Sequence, residues 1–261
     1  MHTGPDTGVQ RSRVLGHGLR TAHGGAALPG IFLVLACLVC LWAAGPVHPL
    51  HAASTDSSVL RITARDGSSQ RMGTAFYVHP NILATSYHVI QGATTITAVR
   101  DTTRVRITSL LAFDPKRDVA LLYTPLEGPA LPLGWEDLEP FAQVQALGFV
   151  SEGSVQKIPA VFMAWEQIAG IWHMRLQGPV QPGMSGGPVL NREGRVVGLN
   201  RFTAAPDTPS AAVAVGVRAV RRLLDRSLAE PEFMDLAAFA RKTGNRPKLQ
   251  TRDNRLLITD Q

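Results

Sequence analysis

Beyond residue 54 the apolar positions fall in short, β-branched runs separated by turn residues, the pattern of strands and not of helices. Residues 59–63, 74–78, 82–85, 95–99, 105–113 and 119–124 each predict a strand. A connector rich in proline and acid, 125–140, leads to a second batch at 143–149, 155–165, 171–176, 188–190, 195–200 and 211–217. Six strands, a connector and six more predict an all-β architecture of two six-stranded antiparallel β-barrels, at about 57–125 and about 140–218. The two batches share no sequence self-similarity. At Ala219 the period changes: Val220, Leu223, Leu224 and Leu228 recur at helical spacing and predict an amphipathic helix over 218–229. Phe233, Leu236, Ala237 and Ala240 outline a second, short helix behind Pro231. In the C-terminal extension, 230–261, the last twenty residues read either as a tail or, around 256–258, as an added edge strand.

The first 53 residues follow another rule. Residues 26–47 hold no charge, and 31–44 are almost purely apolar. Arg11, Arg13 and Arg20 precede this run and Asp56 is the next charge after it, so the basic side stays cytoplasmic and the remainder is delivered across the membrane. A cleaved signal peptide and an uncleaved inner-membrane anchor both fit. The short apolar core and the small residues near His51, Ala52 and Ala53 favour cleavage, whereas 22 uncharged residues match the ~20 needed to span a bilayer. Either way residues 54–261 are expected outside the cytoplasm. Both cysteines, Cys37 and Cys40, lie inside the apolar segment, so the exported part must be held by its core without disulfides.

Composition narrows the function classes. The 26 Lys and Arg against 20 Asp and Glu leave +6, but the excess is scattered and lacks the basic stripe with interleaved aromatics that nucleic-acid binding needs. Three scattered histidines (His79, His88 and His173) and no cysteine after residue 53 offer no metal cluster, and no cofactor is expected.

The chemistry gathers in three pieces. In Gly183-Met184-Ser185-Gly186-Gly187-Pro188, glycines flank a serine so that the chain can bend and aim backbone amides at one point. Such amides stabilise an oxyanion, and a serine becomes a nucleophile once a base takes its proton. His88 lies just after a strand, in Ser86-Tyr87-His88-Val89-Ile90, held by the scaffold yet open to a cleft. His79 precedes Pro80 in a turn and His173 sits within a strand, both readable as ordinary surface or core residues. Asp118 leads into a strand apolar enough to be buried on both faces, where a carboxylate is costly unless an imidazole N–H pairs with it. Asp114 needs no role beyond opening the Asp-Pro turn.

These segments, with Gly73-Thr74-Ala75-Phe76-Tyr77-Val78, Gly198-Leu199-Asn200 and Val215-Gly216-Val217, resemble the trypsin-like serine peptidases, most closely the HtrA/DegP-type bacterial branch. The likeness runs from about Val59 to Leu228, and the order His, Asp, Ser is that of the chymotrypsin-like fold. The resemblance implies an endopeptidase domain over 54–229, with Ser185 as nucleophile, His88 as base, Asp118 as its orienting acid and the amides of Gly183 and Ser185 as oxyanion hole. It further implies that polypeptide substrates lie against Gln181, Leu199, Asn200 and Arg201. Met184 stands where digestive members of the fold carry an acid, so no activation through a freed N-terminus is expected. Only 33 residues follow Leu228, too few for a PDZ domain of roughly a hundred. No aromatic trimerisation segment is evident, and a monomer is expected. Residues 177–181 and 199–202 lack an acid, which argues for a small or medium aliphatic residue at the cut site. A resting trypsin-like domain that binds polypeptide without cutting it is the competing expectation.

Overall fold

The computed structural model describes residues 55–67, 69–201, 211–244, 249–252 and 255–258; the apolar segment 26–47, with both cysteines, lies outside them. Among the described residues no helix is long and apolar enough to cross a membrane.

The first batch of apolar runs gives seven strands: β1 (Val59–Asp66), β2 (Ser69–His79), β3 (Ile82–Ser86), β4 (Thr95–Arg100), β5 (Thr103–Ile107), β6 (Ser109–Asp114) and β7 (Val119–Tyr123). The second gives β8 (Gln143–Gly148), β9 (Gln156–Ile168), β10 (Ile171–Gln177), β11 (Pro188–Leu190), β12 (Val196–Arg201) and β13 (Ala211–Gly216). These six close in the order β10-β13-β12-β11-β8-β9, the expected second barrel. Its core is filled by Phe162, Met174, Leu176, Met184, Val189 and Val197.

The first half departs from expectation. It is no closed six-stranded barrel but a curled eight-stranded sheet, β14-β6-β7-β3-β2-β1-β4-β5. The single strand expected over 105–113 divides at Thr108 into β5 and β6. Closing the sheet would require β5 to pair with β6, and the free edge of β6 is already taken by β14 (Met234–Asp235) from the C-terminal extension. There Met234 pairs with Leu110, and the Leu236 amide donates to the Thr108 carbonyl at 3.0 Å.

Four-residue helix α1 (Tyr87–Ile90) follows β3, α2 (Val217–Ala229) follows β13, and α3 (Leu236–Thr243) follows β14. The apolar stripe of α2 packs into a core shared by both halves: Val59, Phe76 and Leu121 from the sheet, Leu147, Val196 and Leu199 from the barrel, and Val220, Leu223 and Leu224 from the helix. The Asp235 side chain caps α3 by accepting from the Ala237 amide. The expected edge strand near 256–258 is instead β16 (Arg255–Ile258), paired with β15 (Leu249–Arg252) in a separate hairpin.

Candidate active site

His88 is set by α1 at the end of the buried strand β3, and Asp118 by the turn entering β7, which pairs with β3 from Ser86↔Val119 onward. Their meeting is therefore a matter of sheet register. The His88 Nδ1 lies 2.7 Å from Asp118 Oδ2, and the His88 amide donates to Asp118 Oδ1 at 2.8 Å. The Tyr87 amide donates to the Asp118 carbonyl at 3.2 Å. A carboxylate only accepts, so Nδ1 carries the hydrogen, and in the neutral ring Nε2 is then the nitrogen with the lone pair. The Asp118 side chain is 3% exposed and that of His88 34%, an acid sealed behind an accessible imidazole. Burial pushes the Asp118 carboxyl up, but the charge and hydrogen bond of His88, the nearby Arg201 and the His88 amide outweigh it and hold the group below the usual carboxylate range.

Ser185 arrives from the other half, on the loop between β10 and β11, and the loop is bonded to the first sheet. The Thr74 amide donates to the Ser185 carbonyl at 2.8 Å. The Thr74 hydroxyl donates to the Gly183 carbonyl at 2.9 Å and accepts from the Phe149 amide at 3.0 Å. Glycine is required at two places. Gly183 has φ +92° and Gly186 φ +86°, in the left-handed region that other residues seldom adopt. A Cβ on Gly186 would also fall on the Thr74 carbonyl and the Thr85 hydroxyl, and 2.8 Å from the Ser86 amide nitrogen. That contact lays the residue after Ser185 directly on the chain two residues before His88. Met184 is fully buried in the barrel core.

The remaining predicted site residues divide. Gln181 is exposed, and its carbonyl accepts from the Met184 amide. Leu199 and Asn200 are buried; the Asn200 amide donates to Gly187 and its carbonyl accepts from Gly186, at 2.8 Å each. β12 is paired with both neighbours through Leu199. Arg201 turns inward, with Nε 3.4 Å from Asp118 Oδ2 and Nη1 3.1 Å from His173 Nε2. Sequence reasoning passed over His173 because nothing local distinguishes it from a core histidine. Its link to Asp118 runs through an arginine 28 residues away. Among the described residues no group of His, Cys, Asp and Glu could hold a metal ion.

Comparison with known proteins agrees with this architecture. The model of the trypsin-like peptidase domain matches residues 73–199. The chain is 29% identical over 171 residues to the serine protease Rv3671c of Mycobacterium tuberculosis, covering 59% of this chain and 42% of that protein. It is 31% identical over 136 residues to a probable periplasmic serine endoprotease, DegP-like, of Halomonas elongata, covering 49% of this chain and 29% of the relative. The chain thus spans less than half the length of these relatives. The crystal structure of the Rv3671c protease in its active form superposes with a TM-score of 0.61 at 26% identity, over 82% of this chain and 93% of that one. The HtrA-type protease AlgW shares the fold, with a TM-score of 0.61 over 67% of this chain and 61% of AlgW, at 21% identity. The chain carries a trypsin-like peptidase domain and is homologous to the HtrA/DegP-like serine proteases.

Proposed function

We propose that the protein is an extracytoplasmic serine endopeptidase working through His88, Asp118 and Ser185. The observation that carries the reading is the 2.7 Å contact of His88 Nδ1 with a sealed Asp118, on a sheet bonded directly to the Ser185 loop. Asp118 accepts the Nδ1 hydrogen, which leaves Nε2 as the base that takes the Ser185 proton. Oγ then attacks the scissile carbonyl, and the negative oxygen of the tetrahedral intermediate is met by the amides of Gly183 and Ser185. The imidazolium returns its proton to the leaving amine as the C–N bond breaks, giving an acyl-enzyme on Ser185. Water, deprotonated by the same Nε2, hydrolyses the ester and frees the serine.

An extended polypeptide passes in this reading beside the exposed Gln181 and beyond the end of β12. The Asn200 amide and carbonyl are already bonded to Gly187 and Gly186, and the Arg201 side chain faces Asp118 and His173, so neither supplies those groups to substrate. The absence of an acid from 177–181 and 199–202 favours a small or medium aliphatic residue at the cut site. Export rests on the apolar run 26–47, and the DegP-like relatives are named periplasmic. The working form is a monomer, and N-terminal sequencing of the mature protein distinguishes cleavage of that run from anchoring.

The test is fluorophosphonate labelling of the full chain, read with casein hydrolysis. The wild type labels at Ser185 and cleaves casein; Ser185→Ala does neither, since removing the nucleophile of a working triad costs about a millionfold in turnover. Unlabelled, folded wild type would overturn the peptidase reading.

A further inference from the structure

Resting on the peptidase reading, the buried Arg201 poses a separate question. Arg201 is only 8% exposed, and a buried guanidinium needs both a counter-charge and acceptors for its hydrogens. Asp118 Oδ2 supplies the charge at 3.4 Å, and His173 Nε2 the lone pair at 3.1 Å. Arginine has donors only, so Nε2 of His173 accepts. The other ring nitrogen, Nδ1, lies 2.8 Å from the Ile171 carbonyl and must carry the hydrogen. The His173 ring is thereby fixed as one neutral tautomer between a donor-only and an acceptor-only neighbour.

These contacts form one chain: His88, Asp118, Arg201, His173 and the Ile171 carbonyl. Its first two members, on α1 and in the turn entering β7, belong to the first half. The last three belong to β12 and β10 of the barrel whose loop carries Ser185. We propose that Arg201 is a positioning residue of the triad, a strut that ties the Asp118 carboxylate to the barrel of the nucleophile, with neutral His173 as its anchor. His88 remains the nearer partner of Oδ2, at 2.7 Å against 3.4 Å, so the strut steadies the carboxylate without displacing the imidazole. Arg201 acts through Asp118; its side chain does not contact the scissile bond in this assignment.

The experiment measures kcat and KM per fluorophosphonate-titrated site in the full-length protein and its variants. Misplacement of catalytic groups by about 1 Å costs on the order of a hundredfold, so Arg201→Met should lower kcat about 10- to 100-fold with KM changed less than about twofold. His173→Gln, whose side-chain oxygen can still accept from the guanidinium, should keep kcat within about fivefold of wild type, whereas His173→Leu should fall with Arg201→Met. A side chain that contacts substrate would instead raise KM at constant kcat. One that only stabilises the fold would lower the yield of titratable sites but not kcat per site. Either result overturns the strut.

A second measurement needs no turnover. In ¹⁵N spectra of the wild type, His173 should show a protonated Nδ1 and a bare Nε2 and titrate only below the ordinary imidazole range. In Arg201→Met that pattern should be lost. A wild-type His173 protonated at Nε2, or titrating as a free imidazole, rules the strut out. Failure of wild-type labelling refutes the peptidase reading, and the spectra then decide the strut by themselves.

Discussion

Asp118 has φ 57°, in the left-handed region, at the turn into β7. Aspartate tolerates this conformation better than most residues, and here its carbonyl takes the Tyr87 amide while Oδ1 takes the His88 amide. The acid is thus aimed by its backbone as much as by its side chain. His173 is the opposite case, an unremarkable strand residue given its role by burial. Burial pushes its imidazole below the ordinary value of about 6.5, and the charge of Arg201 adds to this. The Ile171 hydrogen bond, Asp118 and Glu166 act against it without prevailing. The unfolded chain therefore binds a proton that the folded one refuses, and stability falls as pH drops through about 6.5 towards the lowered folded value. Asp118 works in the same sense further down, its contribution lost as pH falls below the carboxylate range. In a thermal melt series, His173→Gln should flatten the fall in Tm that begins as pH drops through about 6.5 and leave the loss below about pH 4. Equal slopes for variant and wild type would refute this account of the upper step.

At the scale of elements, α1 is too short to hold His88 by itself. Its carbonyl end is held by Arg71, whose Nε donates to Val89 at 3.1 Å and whose Nη2 donates to Gln91. Its back is held by the C-terminal extension. Tyr87 stacks on Phe113 at 5.7 Å, and the buried Phe239 of α3 meets both rings edge-on. The Thr243 hydroxyl accepts from the Gly92 amide at 3.0 Å and donates to the Phe239 carbonyl at 2.9 Å. With β14 on the edge of β6, α3 makes residues 234–243 part of the wall behind the imidazole. Phe239→Ala should cost about 3–5 kcal/mol in denaturant unfolding, the usual loss for a fully buried ring. A cost under about 1 kcal/mol would mean that the extension is dispensable.

At the scale of the whole molecule, the two halves share one core, closed by α2. Arg221 on that helix donates to the carbonyls of Leu133 and Gly134 in the connector, at 3.1 and 2.7 Å, and stacks over Trp135. Neither half can lose the helix without exposing the shared cluster, so both should unfold in one transition. Leu224→Ala should cost about 2–5 kcal/mol and lower the hydrogen-exchange protection of β1–β7 and β8–β13 together. Loss confined to one half would show that the seam does not couple them.

What the residues alone determined was local: the order of the strands, the amphipathic helix over 218–229, the glycine spelling around Ser185, and the strand ends that carry His88 and Asp118. Each is written in the side-chain period or in turn chemistry within a few neighbouring positions. Tertiary structure decided the rest. The edge of β6 went to Met234 and Asp235, and so the first sheet stayed open; Phe239 came to rest on Tyr87; Arg201 turned from the expected substrate side onto Asp118 and His173. Those partners lie 28 to 152 positions apart in the chain, and whether such groups meet depends on sheet register and helix packing, which no local pattern encodes.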